Sequence, residues 1–490
     1  MKRIQKTIAI IGSGFSAIAA SCYLAQSGFH VTVFEKNDIL GGRARQLKKE
    51  GFTFDMGPTW YWMPDVFEKF FSDFGKSPSD YYQLKKLNPS YQVYFGELDS
   101  LIVSGEIEEI YQLFEKEEKG SSKYLKDFLK TAKSNYDVAV KKLVYRPGIS
   151  PFELITLQTI VKLRQVFGNI KKVVSKKIKN PRLLKILEFP VLFLGAKPQD
   201  TPALYSFMNW ADFGLGTWHP VGGMYEVVQG MVSLAKSLGV KFETNANVEE
   251  ICVSEQGEVM GLEVNGYFIA SDIVLSGADY HHTETLLPTK FRQYSESFWG
   301  KKTFAPSSLL FYVGFDKKIK NVQHHTLFFD TEFDEHAKAI YDSPSWPKEP
   351  LFYVSFPSIT DDSFAPENKE AATFLIPLAS GIEDTLEIRE KYFNIIIERL
   401  EKLTNQSIKD SIVFKESFCV NDFIKDYNSY KGNAYGLANT LLQTAFLRPK
   451  IKSKKVKDLF FTGQLTVPGP GVPPALISGK IASDLILKYS

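Results

Sequence analysis

The chain has 490 residues, 44% hydrophobic and 23% charged, a globular balance that sets aside disorder and an integral membrane protein. Its length exceeds one ordinary core, so two structural regions are expected. A net charge of +3 carries no general nucleic-acid signal; Cys22, Cys252 and Cys419 lie far apart without CxxC or metal spacing, as in a reduced compartment.

Met1 to Lys6 is basic, but the apolar segment after it holds a glycine turn and reads as part of the fold, not as a signal peptide. No run of 18 uninterrupted apolar residues occurs, so a cytoplasmic protein without a spanning helix is expected, with attachment to a membrane surface left open.

The run Thr7–Ile11 is β-branched and apolar, the pattern of a buried strand. Gly12, Gly14 and Ala17 follow in the G-x-G-x-x-G/A spacing. A helix is predicted over Ala17–Gln26, closed by Gly28, and a second strand over Val31–Phe34. Gly12 suits the tight turn, Gly14 a close backbone approach to a pyrophosphate, and Ala17 close packing of helix on sheet. The helix N-terminus offers free N–H groups to phosphates. Glu35 ends the second strand, where a carboxylate can accept ribose hydroxyls. Strand, turn, helix, strand and acid in this order point to a dinucleotide site.

Downstream, "EKNDILGGR" places Gly41, Gly42 and Arg43 where a nicotinamide site has no need of them. The glycines let backbone pass close to a ligand, and Arg43 brings a charge-assisted donor to a phosphate. Gly51, Asp55 and Gly57 recur in "GFTFDMGPTW". The full series resembles the extended motif of the flavoprotein superfamily of amine oxidases, protoporphyrinogen oxidase, carotenoid desaturases and Rab escort proteins. That resemblance implies FAD, held by Gly12, Ser13, Gly14, Phe15 and Ser16, by Glu35 and Lys36, by Gly42 and Arg43, and by Gly57, Pro58 and Thr59.

Two later stretches extend it. "HPVGGMYEVVQGMVSLAKSLG" reads as a glycine turn and an amphipathic helix ending at Gly239, followed by short strands in "GVKFETNANVEEICV" and "VMGLEVNGYFIASDIVLSGA". The resemblance places the backbone of Val248 near the adenine. At the C-terminus, "KDLFFTGQLTVPGPGVPPALISGKIASDLI" reads as a strand Leu459–Thr462, a loop Gly463–Gly471 and a helix from Pro473, with prolines suited to its first turn. Here the resemblance is to bacterial phytoene desaturases, and it implies FAD contacts from Gly463, Gln464, Gly471, Val472 and Pro473. Gln464 stands where the superfamily often has an acid, and Val467 where many phytoene desaturases have a histidine.

The expected fold is α/β: a discontinuous Rossmann-like FAD-binding domain (1–95, 215–285 and 450–490), a helical, basic, membrane-facing region (96–214) and a mixed-sheet substrate domain (286–449). Strands are predicted in "SSLLFYVGF" and "PLFYVSF" and a helix in "DTLEIREKYFNIIIERLEKL". The pairs His281–His282 and His324–His325 are read as strand neighbours pointing to opposite faces, so no metal site is assigned.

Between Glu153 and Glu188 there is no acid, while Lys162, Arg164, Lys171, Lys172, Lys176, Lys177, Lys179, Arg182 and Lys185 alternate with apolar residues. A lysine-rich amphipathic helix lying in the headgroup layer is expected there, with "LLKILEFPVLFLGA" directly after it. A solvated helical face is the ordinary alternative.

The blocks "FDMGPTWYWMPDVFEKFFSDFG", "LEFPVLFLGAKPQDTPALYS" and "YKGNAYGLANTLLQTAF" carry the phytoene-desaturase resemblance over nearly the whole length. It implies stepwise dehydrogenation of phytoene toward lycopene, with hydride passing to the flavin and then to a quinone or oxygen. No catalytic residue is assigned, although Asp212 and His219 are conceivable bases. The alternatives are a desaturase or isomerase of another carotenoid, such as a hydroxylated carotenoid 3,4-desaturase, an amine oxidase, and a non-catalytic prenyl-binding relative. Nucleic acid is not expected as a partner.

Overall fold

The structure is a computed structural model that describes residues 6–154, 168–192 and 197–490. The apolar run Thr7–Ile11 forms the central strand of a five-stranded sheet, with every residue but Thr7 buried. Across this sheet the order is Leu459–Phe461, Ile273–Ser276, Thr7–Ile11, His30–Phe34 and Lys241–Glu243, all parallel. Ile8 lies opposite Ile273 on one side and Val31 on the other. Helices cover both faces of such a sheet, which is why its central strands read as continuous apolar runs.

The first helix spans Phe15–Gln26, starting before Ala17 because Gly14 is its N-cap. The helix Val472–Tyr489 packs against it so closely that a Cβ on Gly479 would lie 2.4 Å from the carbonyl oxygen of Ser16.

A second sheet of seven strands stands beside the first. Its order is Ile412–Phe418, Ser307–Phe315, Glu370–Leu378, Phe352–Ser355, His325–Phe328, Tyr91–Gly96 and Asp99–Val103. It is mixed, because His325–Phe328 and Tyr91–Gly96 run parallel while the other neighbours are antiparallel. Alternation along Ser307–Phe315 separates its two faces. Leu309, Phe311 and Val313 pack with Phe393, Ile396 and Leu400 of the helix Leu386–Thr404, whereas Leu310 and Tyr312 meet Phe52 and Phe54.

Two sequence expectations change. Tyr91–Gly96 and Asp99–Val103, assigned by sequence to the first domain and the helical region, belong to the mixed sheet. His281 and His282 sit in the short helix Tyr280–Thr285, where Asp279 accepts both of their backbone N–H groups.

The basic run also differs from its expectation. Lys162 and Arg164 lie outside the described residues. In the rest, Ile170, Val174, Ile178, Leu183, Ile186, Leu187 and Phe189 are buried in the largest core. Lys171 pairs with Asp334 at 3.5 Å, and Arg182 with Asp99 at 2.8 Å and with Glu117. Lys185 donates to the carbonyl of Phe329 at 2.8 Å. A stretch without local acids finds them across the fold, and its apolar side faces inward. The apolar side of the described part therefore packs into the core instead of forming a free apolar face. No helix among the described residues is long and apolar enough to cross a membrane.

Candidate functional site

Gly12 turns the chain at φ +83° and donates its N–H to the carbonyl of Phe34 at 2.8 Å, ending the first strand against the second. Gly14 caps the first helix with no side-chain acceptor, so the first-turn N–H groups lack a side-chain partner. The Gly41–Gly42 pair is tied to this turn: the Gly41 N–H lies 3.1 Å from both the carbonyl and the Oγ of Ser13. A Cβ on Gly42, at φ +56°, would stand 3.2 Å from the Cα of Gly14. The third glycine, Gly57, presses on the same cradle, since a Cβ there would lie 2.1 Å from the carbonyl oxygen of Arg43.

Arg43 extends from this cradle toward a distant segment. Its Nη2 donates to Ser429 Oγ at 3.3 Å and to the carbonyl of Asn433 at 3.1 Å, and the guanidinium lies 5.3 Å from the Tyr427 ring centroid. Burial pulls its pKa down, against the fields of Asp279 and Tyr427. Its Nε is buried without a hydrogen-bond partner, a donor in search of an acceptor.

Glu35 is 4% exposed and heavily engaged. Oε2 accepts the N–H of Ser13 at 3.0 Å and its hydroxyl at 2.6 Å; Oε1 accepts the N–H of Asn37 at 3.0 Å and its amide at 2.9 Å. Four donors fill a carboxylate, so a ribose hydroxyl must replace or share one of them. Lys36 is anchored by the carbonyl of Lys425 at 2.7 Å and by Asn428 Oδ1 at 3.2 Å.

From the other end of the chain, Gly463 at φ +107° donates its N–H to Ser478 Oγ at 2.9 Å. Gln464 donates to Asn433 Oδ1 at 3.1 Å, and its carbonyl accepts from Arg448 at 3.1 Å. Gly471 caps the last helix without a side-chain acceptor. Gly463, Gln464 and Gly471 line one cavity of 1060 Å³ together with Gly12, Ser13, Gly14, Glu35, Lys36, Gly42, Arg43 and Gly57, and with Ser16, Phe15, Pro58, Thr59, Val248, Val472 and Pro473. A pocket for one small molecule is roughly 300–1,000 Å³. The cavity stands at the top of that range, as a large dinucleotide requires.

Beyond the glycine cradle the wall turns apolar, with Trp60, Trp62, Phe189, Phe207, Phe329 and Leu351. Polar exceptions are few. Thr59 Oγ1 lies 2.9 Å from Tyr353 Oη, which lies 2.6 Å from His325 Nδ1. His336 donates from Nε2 to the carbonyl of Pro377 at 2.8 Å and accepts the N–H of Leu351 at Nδ1, 2.9 Å. Burial pushes its pKa down to about 4, so it is neutral at pH 7. Lys197 is paired with Asp342 at 2.6 Å beside Tyr341, whose hydroxyl has no hydrogen-bond partner among the described residues.

The two conceivable bases stand off this wall. Asp212 accepts from Tyr91 Oη at 2.9 Å; its Oδ1 is buried without a partner, and burial pushes its pKa up to about 8. His219 donates from Nε2 to Asp361 Oδ2 at 2.9 Å. Neither lines the cavity. Sequence reasoning did not find Ser429, Asn433, Tyr353 or His325. Only the block "YKGNAYGLANTLLQTAF", which holds Asn433 and lines the cavity through Tyr435, Asn439 and Thr444, hinted at part of this region.

Residues 18–487 match the family of flavin-containing amine oxidoreductases. The chain is 41% identical over 485 residues to a carotenoid 3,4-desaturase of Haloarcula japonica, covering 98% of each. It is 34% identical over 495 residues to a 4,4'-diapophytoene desaturase (4,4'-diaponeurosporene-forming) of Staphylococcus haemolyticus, again covering 98% of each. The chain belongs to the carotenoid desaturases of the flavin-containing amine oxidoreductase family. Its cofactor is FAD. An oxidoreductase from Methanosarcina mazei shares the desaturase's fold with a TM-score of 0.63 at 15% identity, over 97% of this chain and 99% of that one. Putrescine oxidase does so with a TM-score of 0.59 at 13% identity, over 99% of both chains.

The cradle of this desaturase fits the cofactor. Two helix N-termini without side-chain caps and a buried guanidinium with an unspent Nε suit a pyrophosphate.

Proposed function

We propose that the chain dehydrogenates an acyclic carotenoid bearing an oxygenated end group, introducing a double bond near that end. The observation that carries this reading is one cavity that is glycine-lined and basic at one part and aromatic at another. Gly14 and Gly42 would hold the pyrophosphate with Arg43 as its charged donor, and Trp60, Trp62 and Phe189 would line the polyene. FAD supplies a two-electron hydride acceptor when bound. The chain's own residues orient the polyene, exclude water and receive a proton. A quinone or oxygen would be the final electron acceptor.

The end group is supported by identity and by chemistry. The likeness to a 3,4-desaturase is 41%, against 34% to a diapophytoene desaturase over the same share of the chain. Tyr341, with an unspent hydroxyl beside the Lys197–Asp342 pair, adds a hydrogen-bonding spot to the cavity. A site built around such a spot discriminates against substrates that lack the matching group. Phytoene, taken stepwise toward lycopene, is the second reading, favoured by the sequence blocks quoted above.

A polyene of this kind dissolves in lipid, and we infer that the protein loads it from a membrane surface. Segments 144–153 and 444–446 line the cavity, and beside them Ile149, Phe152 and Leu442 are 53%, 76% and 77% exposed. We further infer that the parallel sheet with its flanking helices is the FAD-binding part and the mixed sheet the substrate part.

The test is anaerobic. FAD-loaded protein is mixed with liposomes holding either a hydroxylated acyclic carotenoid or phytoene, and the oxidised-flavin band is followed while products are extracted. Faster bleaching with the hydroxylated compound, and loss of that preference in Tyr341→Phe, is the expected result. Bleaching by phytoene alone moves the substrate to phytoene. Bound FAD that stays oxidised with both overturns the desaturase reading.

A further inference from the structure

We propose that a row of three buried imidazoles, His325, His324 and His219, conducts the proton released in dehydrogenation from the cavity wall to Asp361. The inference rests on the desaturase reading above. Removing two vicinal hydrogens divides them unequally. One leaves with the electron pair of its C–H bond as hydride. The other leaves as a bare proton, and its bonding pair becomes the new π bond. An apolar cavity offers that proton no water, so it needs a route.

The structure sets polar groups in a row along which it can pass. Thr59 and Tyr353 line the cavity, 2.9 Å apart at their hydroxyls, and Tyr353 Oη is 2.6 Å from His325 Nδ1. The His325 and His324 ring centroids are 4.5 Å apart, and those of His324 and His219 are 4.8 Å apart. His219 ends the row on Asp361, at 2.9 Å. Asp361 adjoins the exposed residues Asp362 and Ser363. The three rings are at most 3% exposed, yet His324 Nδ1 and His325 Nε2 are buried without partners. Unspent polar nitrogens in adjacent core rings carry a cost unless they serve a purpose. One water between them completes the path.

Each group ends with the protons it began with. Thr59 accepts the substrate proton and passes its own to Tyr353, which passes its own to His325. The charge then moves as imidazolium through His324 and His219 and leaves by Asp361 to solvent. Burial and the neighbouring rings push the pKa values of His324 and His325 well down, so both rest neutral and give up a proton readily. The surroundings add little charge of their own. Lys85 bears on His324 and Asp55 on His219, while Trp60 stacks on His325 at 3.9 Å and Phe364 lies 5.7 Å from His219. No group of three or more such side chains suited to a metal occurs among the described residues.

The experiment has two arms. In the first, FAD-loaded Tyr353→Phe, His324→Gln and the milder Thr59→Val are reduced by substrate in a single turnover with a pH indicator present. Flavin reduction and proton release slowed together by about 10²-fold, with substrate affinity unchanged, is the expected result. Wild-type rates in Tyr353→Phe and His324→Gln overturn the proposal. In the second, 15N-histidine NMR of the resting FAD-loaded protein needs no substrate. His219→Gln is expected to move the His325 signals, and unmoved signals overturn the row. A wild-type protein that no carotenoid reduces sinks the desaturase reading instead, and the NMR still decides the row.

Discussion

Asp55 Oδ2 accepts the backbone N–H of Met224 at 2.8 Å, so the acid of the second glycine motif closes the N-terminus of the helix Met224–Ser237. It does not line the cavity. Burial, against that hydrogen bond, pushes its pKa up to about 6. Asp55→Ala is expected to cost about 1–2 kcal/mol, as loss of an N-cap does, with a smaller effect on FAD affinity. Thermal melts and FAD titration of one sample check both.

Arg43 is the complementary case. Its Nε is unspent and it reaches Ser429 and Asn433, which suits the proposed clamp across the cofactor. Arg43→Ala is expected to weaken FAD binding by about 1.5–3 kcal/mol, or ten- to a hundredfold. Arg43→Lys is expected to recover little, because an ammonium lacks the fork. Gly57→Ala is expected to lose FAD by displacing Arg43 through its carbonyl. Flavin fluorescence quenching measures all three.

Asp212 gives a pH signature. Its folded-state pKa, about 8, stands above the ordinary carboxylate value near 4. The folded chain keeps this proton where the unfolded chain has lost it. Stability from this group falls as pH rises from about 4 to about 8 and then levels. Asp212→Asn, which still accepts from Tyr91, is expected to raise the Tm more at pH 8 than at pH 5. Equal shifts at both pH values would refute the assignment.

Membrane loading is tested at Phe152 and Leu442. Changing either to Ser is expected to weaken binding to liposomes, read by sedimentation, about ten- to a hundredfold, from roughly 1.5–3 kcal/mol of lost apolar burial. Lys176→Gln and Lys177→Gln are expected to do much less. The reverse ranking would return the membrane contact to the basic run.

The glycine cradle was legible because each of its parts is local: a buried strand, a turn without Cβ and an uncapped helix follow one another in sequence. The C-terminal strand and helix were legible for the same reason, within a residue or two at their ends. The partners of the basic run were not legible because charge pairing is not local. Arg182 finds Asp99 and Glu117, and Lys171 finds Asp334, none of them nearby in sequence. His324 and His325 were read as strand neighbours facing apart. His325 begins a strand and His324 precedes it, so their rings meet at a strand end, and their link to His219 exists only through the pairing of distant segments.

The parallel sheet places Leu459–Phe461 beside Ile273–Ser276. On a ribosome the earlier strand emerges long before its neighbour, and the cradle lacks Gly463, Gly471 and the last helix until synthesis is almost finished. The nascent chain therefore exposes an unpaired, mostly apolar strand edge from the synthesis of Ser276 until that of Leu459, an invitation to aggregation that chaperones must cover. Cofactor supply during expression then acts at one late moment, on chains already made, and riboflavin-starved cells are expected to accumulate insoluble full-length protein rather than truncated fragments.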